Sequence, residues 1–157
     1  MEYNVLDICR YVVNYSNTCD NGISNLKLQK VLYFIQAYFL VVTGKPCFKE
    51  DIEAWNFGPV VPVAYREYKH FASTNIPYIQ SYIIFGDYIW SAKRVPYADT
   101  LISHADKKLI NSVVDKFADY SSTDLVALTQ RQAPWINTYL QDKTNVISLK
   151  AIQEYFS

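Results

Sequence analysis

The stretch SNLKLQKVLYFIQAYFLVVTG, residues 24–44, decides the fold. Ser24 is a good helix N-cap, and Gly44 followed by Pro46 stops a helix. Between them, from Val31 to Val42, only Gln36 interrupts an apolar run. A helix without a polar face is buried on most sides. The reading is therefore a central helix over 24–43, rich in aromatics (Tyr33, Phe34, Tyr38, Phe39), on which the remaining elements pack. Its apolar run of twelve residues is shorter than the about 20 that a bilayer span needs.

Working outward, Val5, Ile8, Cys9, Val12 and Val13 recur at helical spacing within Tyr3–Ser16. Asn21-Gly22 marks the turn that follows. On the C-terminal side, Asp51–Phe57 reads as a short strand or a helical turn. Gly58-Pro59-Val60-Val61-Pro62 reads as a stiff, non-helical entry to a helix over about 63–71. In 76–98, Tyr82–Phe85 and Tyr88–Ser91 flank Gly86-Asp87, the pattern of a type II′ hairpin near 81–91. Ser103–Asp106 and Ser121–Asp124 are capping-box patterns opening two further helices. Pro134 and Ser148 precede two short ones. The expected class is mainly α (α+β): five to seven helices around helix 24–43 with one small hairpin, residues 1–157 forming one domain.

Composition excludes several functions. The 157 residues carry 15 Lys+Arg and 15 Asp+Glu, and half of them are apolar, so the chain is not of disordered type. Charge is balanced in both halves, whereas a nucleic-acid-binding domain gathers a basic excess on one face. The only basic stretch is local, with Lys27, Lys30, Lys45 and Lys49 in the acid-free interval between Asp20 and Glu50. Three cysteines without metal spacing, and no signal-like N-terminus, suit reduced thiols in a cytoplasmic protein. No nucleophile elbow, Walker loop or dinucleotide fingerprint occurs. His70 and His104 lack ligand-spaced partners, and the carboxylates Glu50, Asp51 and Glu53 read as a solvated cluster. No catalytic residue, metal or cofactor is expected. Fourteen tyrosines exceed what the core needs, so some must be exposed, which favours a protein-contact surface.

Leu26-Lys27-Leu28-Gln29-Lys30-Val31-Leu32-Tyr33-Phe34, then Gln36-Ala37-Tyr38, Glu53-Ala54-Trp55, Gly58-Pro59-Val60-Val61-Pro62, Tyr65 and Lys69, together resemble the Panacea domain, the SocA-like or GepA-like phage-associated family. Leu125–Thr129 and Pro134-Trp135 fit its later pattern, with Gln130 where the family usually has His. The likeness covers nearly the whole chain except about 73–103. It implies an antitoxin of a two-gene toxin–antitoxin system that neutralises its toxin by direct contact. One branch of the family instead delivers its toxin to a protease as an adaptor. A DNA-binding regulator and an unrecognised hydrolase are the remaining alternatives. The implied partner is a cognate toxin, with no membrane and no direct nucleic acid; a homodimer would also use exposed aromatics. From the resemblance and the central helix together, Lys27, Lys30, Tyr33, Trp55, Gly58 and Pro59 are expected to lie close together as the partner-binding residues, with Lys27 the side chain least explained by folding.

Overall fold

The computed structural model of the chain describes residues 2–141 and 145–157. Helix α1 covers Val5–Thr18 and α2 covers Asn25–Thr43. Ser24 Oγ accepts from the Lys27 amide, and Gly44, at φ 75°, closes α2 with its amide on the Leu40 carbonyl. Every residue from Leu28 to Ala37 is buried. Five helices surround that stretch: α1, α3 (Pro62–Tyr68), α4 (His104–Lys116), α5 (Ser122–Thr129) and α7 (Leu149–Phe156). α6 (Ala133–Gln141) packs on α7. The expected hub helix is thus in place. At 19 residues α2 has the length and hydropathy of a membrane span, longer than its uninterrupted apolar run suggests, yet 67% of that stretch is buried within the fold. It is a core helix.

A buried helix still has to satisfy its polar side chains, and here they fasten crossing segments. Gln36 Oε1 accepts from the amides of Cys47 (2.7 Å) and Phe48 (3.3 Å), and its Nε2 donates to the Phe48 carbonyl (2.9 Å). Gln29 Oε1 accepts from the Val61 amide (3.0 Å), and its Nε2 donates to Asn25 Oδ1 (2.9 Å). Asn25 in turn donates to the Tyr65 carbonyl. Both glutamines are fully buried. They fix where the chain re-enters the core after α2 and where it turns into α3.

The segment 53–60 folds as a two-stranded antiparallel sheet. β1 (Glu53–Trp55) pairs with β2 (Gly58–Val60), with Ala54 opposite Pro59. Proline is tolerated because a two-stranded sheet has only edge strands. The Ala54 amide, on the other edge of β1, donates to the Asn145 carbonyl.

The second hairpin corrects its expected boundaries. β3 is Ser81–Ile84, within the expected first strand, but its partner β4 is Lys93–Pro96, and Tyr82 faces Val95. Tyr88–Ser91 lies in the connecting loop, with Ile89–Ser91 in a 3-10 turn. The Ser91 hydroxyl donates to the Tyr88 carbonyl at 2.6 Å, a local side-chain bond that competes with strand pairing. Gly86 is not among the left-handed glycines, so no type II′ turn forms. Of the two capping patterns, Ser121/Asp124 is a complete box. Ser103 caps α4, but the Asp106 carboxylate accepts from the Tyr3 hydroxyl (2.6 Å) instead of closing the box.

Candidate functional site

The six residues singled out from sequence divide into an inner group and an outer group. Lys30, Tyr33, Gly58 and Pro59 are inside. Lys30 is fully buried, and its ammonium donates to the Pro59 carbonyl at 3.1 Å. Among the described residues it is in no ion pair. Burial alone lowers its pKa to about 7. Gly58 leans on the stem of this lysine. Its φ of +104° is barred to most side chains, and an added Cβ would stand 2.8 Å from Thr129 Oγ1 and 2.9 Å from Lys30 Cε. Tyr33 is fully buried, and its hydroxyl donates to Gln132 Oε1 at 2.8 Å. These side chains therefore hold β2 and the α5–α6 link against α2. In this conformation all four are buried, and the polar ends of Lys30 and Tyr33 are taken by internal hydrogen bonds.

The later sequence block completes the clamp. Thr129 Oγ1 donates back to the Leu125 carbonyl. Gln130 Nε2 donates to the Asn56 carbonyl at 3.0 Å, Tyr139 donates to Asn56 Oδ1 at 3.0 Å, and Trp135 Nε1 donates to the Trp55 carbonyl at 2.8 Å. Gln130 thus makes a donor contact that a histidine in the same place can also make. Sequence reasoning missed Gln29, Gln36 and Gln132 as organising residues. For Gln36 the available signal was a lone amide within an apolar run, which has to find its partner inside; no local pattern marks Gln29 or Gln132.

The outer group is Trp55 and Lys27. Trp55 is half-buried; its Nε1 donates to Glu53 Oε1 (2.8 Å), and its ring meets Tyr65 edge-on at 5.2 Å. Beside it, Phe57 at the β1–β2 turn is 61% exposed. Lys27 is half-buried and reaches away from the hairpin, donating to the Ala118 carbonyl just past α4 at 3.2 Å. Partial burial lowers its pKa, and Asp119 opposes that. Folding thus gives Lys27 a partner of its own, the Ala118 carbonyl in the link after α4. Lys27→Glu places a carboxylate against that carbonyl and near Asp119. It is expected to cost about 1–2 kcal/mol, a melting-temperature drop of roughly 2–8 °C. Thermal unfolding monitored by circular dichroism checks this, and an unchanged Tm would return Lys27 to the surface group.

The remaining candidates have plain settings. Glu50 Oε1 accepts from the Val5 amide at the start of α1. His104 is exposed in the first turn of α4. His70 lies against Phe71, ring centres 4.1 Å apart and planes tilted by 39°, and with Glu67 it lines a groove beside α3. Cys9 and Cys47 are buried free thiols whose pKa burial pushes far up, and Cys19 is an exposed free thiol.

The segment between α3 and α4 is tied down by other bonds. Asn14 Oδ1 accepts from the Ile79 amide (2.7 Å), and its Nδ2 donates to the Ile79 carbonyl (2.9 Å). The Arg10 guanidinium, paired with Asp7 at 2.8 Å, stacks 3.6 Å above the Tyr82 ring. These contacts anchor the foot of the β3–β4 hairpin. Its far end is exposed, with Tyr88 and Trp90 stacked at 4.8 Å.

A family model described as antitoxin SocA-like, Panacea domain, matches residues 28–136. The Antitoxin SocA of Caulobacter vibrioides (strain NA1000 / CB15N) is 46% identical over 59 residues, 38% of this chain and 31% of that protein. The match thus spans about a third of the curated relative's length. No solved structure matches.

Proposed function

Because the chain belongs to the antitoxin SocA-like, Panacea domain family, we propose that it is the antitoxin of a two-gene toxin–antitoxin pair and neutralises its toxin by direct contact. The match over residues 28–136 carries this proposal. The surface adds support, since Phe57, Phe85, Tyr88 and Trp90 are each at least 60% exposed. Exposed aromatics supply contact area at low entropic cost and dominate binding hot spots. On this reading the chain works without catalysis, as one cytoplasmic domain, and its partner is the product of an adjacent gene. On this reading exposed aromatics make the contact, while Lys30, Tyr33, Gly58 and Pro59 act indirectly by holding the scaffold.

Co-expression tests this. The adjacent-gene product is expected to arrest growth when expressed alone, to be tolerated when this chain is present, and to co-purify with it at a fixed ratio. Growth arrest that persists in the presence of folded chain would refute the proposal. Relief of arrest accompanied by disappearance of the toxin, dependent on an ATP-driven protease, would replace neutralisation by contact with delivery to proteolysis.

A further inference from the structure

Resting on the antitoxin reading, we propose that the β3–β4 hairpin and the groove at its foot are the toxin-docking surface, and that they accept an extended toxin segment bearing a carboxylate between apolar side chains. The groove measures about 550 Å³ and runs between the hairpin and α3. Its walls include Tyr68, Phe71, Ile76 and Ile83, an apolar lining suited to apolar side chains. Its charged lining residues are Arg10, Arg94 and Glu67. Arg10 is already paired with Asp7. Arg94 is exposed, its guanidinium holds only the Ser81 hydroxyl at 2.9 Å, and it is in no ion pair among the described residues. A guanidinium beside an apolar groove recognises a carboxylate. The surrounding segment agrees, since from Lys69 to Tyr97 the cations Lys69, Lys93 and Arg94 accompany one acid, Asp87.

Three further features fit an extended protein segment. β3 and β4 form a two-stranded sheet, so each strand keeps one edge without a β-partner, open to strand addition. Ile83, Ile84, Phe85 and Trp90 are all at least 47% exposed along and beyond that edge. Tyr88 and Trp90 are stacked with their planes 4° apart, so part of the aromatic surface is ordered before binding. A second copy of this chain suits the surface less well. A two-fold interface built on this patch would bring together two faces that each carry Lys93 and Arg94, and like charges disfavour that.

The test uses the full chain, the adjacent-gene product as probe, and calorimetric or interferometric titration at about 150 mM salt. Arg94→Glu and Trp90→Ala are each expected to weaken binding at least about tenfold. Their melting temperatures should stay within about 2 °C of the parent, because both side chains are exposed. If the parent chain binds and both variants bind equally well, the docking surface is elsewhere and this inference alone falls. If the parent chain does not bind the adjacent-gene product, the antitoxin reading falls and takes the inference with it. A dimer of the chain alone that Arg94→Glu dissociates would overturn the choice of occupant.

Discussion

Gly58→Ala is expected to lower the melting temperature by about 6–12 °C, corresponding to roughly 3 kcal/mol. Two effects add. Alanine at a φ of +104° is strained, at about 1–3 kcal/mol. Its methyl group also meets Thr129 Oγ1 at 2.8 Å and Lys30 Cε at 2.9 Å, closer than side chains normally approach, and overpacking costs about 1–3 kcal/mol. Gly44→Ala is the control. Gly44 is also left-handed, at +75°, but nothing lies within 4 Å of its added Cβ, so only strain applies, at about 1 kcal/mol. Adding Thr129→Ala to Gly58→Ala removes one of the two close contacts and should recover part of the loss. Equal effects of Gly58→Ala and Gly44→Ala would show that the contact with Lys30 and Thr129 carries no weight.

The second large effect is a pH slope that Lys30 imposes. Its pKa in the folded chain is about 7, against about 10.4 for an unfolded lysine. Between these values the unfolded chain holds a proton that the native chain lacks. Stability therefore rises with pH in this window, at up to about 1.4 kcal/mol per unit. Below about pH 7 both states are protonated, so the penalty is complete and the contribution flat. Cys9 and Cys47 act in the opposite sense, because their folded pKa values lie far above that of an unfolded thiol. Above about pH 8.5 the unfolded chain loses thiol protons that the native one keeps, and stability falls. Between pH 7 and 8.5 the lysine effect dominates, with a net gain of about 1 kcal/mol. Lys30→Met keeps the stem and removes the titrating group, at the cost of the donor to Pro59. It is expected to flatten the slope and to compare best with the parent chain at acid pH. Denaturant midpoints across pH 6–9 read this out, and parallel profiles for the two chains would contradict it.

Much of the scaffold was legible because local rules decided it. Ser24 and Gly44 bound α2, Pro62 opens α3, and Ser103, Ser121 and Ser148 cap their helices as the caps predict. The absence of a polar face over Val31–Val42 gave the hub. The misses are long-range. The place of the β1–β2 hairpin is fixed by Val61 reaching Gln29 and Pro59 reaching Lys30, partners 32 and 29 positions apart that no local pattern announces. The second strand of the other hairpin was misplaced because Tyr88–Ser91 is as β-prone as any strand, while one serine hydroxyl closes it into a turn.

The candidate site was less legible for a related reason. Lys30 and Tyr33 look like surface chemistry when read by residue type, yet their polar ends meet the Pro59 carbonyl and Gln132 inside the core. The block of sequence that carries the family likeness is largely the set of bonds that holds the fold. The segment 81–96 carries exposed aromatics and Arg94, which is in no ion pair among the described residues.

The central claim is this separation of clamp from contact, and the most direct test measures folding and neutralisation on the same variants. Lys30→Met, Tyr33→Phe, Gly58→Ala, Arg94→Glu and Trp90→Ala would each be scored for melting temperature and for relief of growth arrest by the adjacent-gene product. The account predicts that the first three lose neutralisation only in proportion to lost stability. The last two should lose it at an unchanged melting temperature. A Lys30 or Tyr33 variant with the parent melting temperature and no neutralisation would contradict it, placing the contact on the buried motif itself.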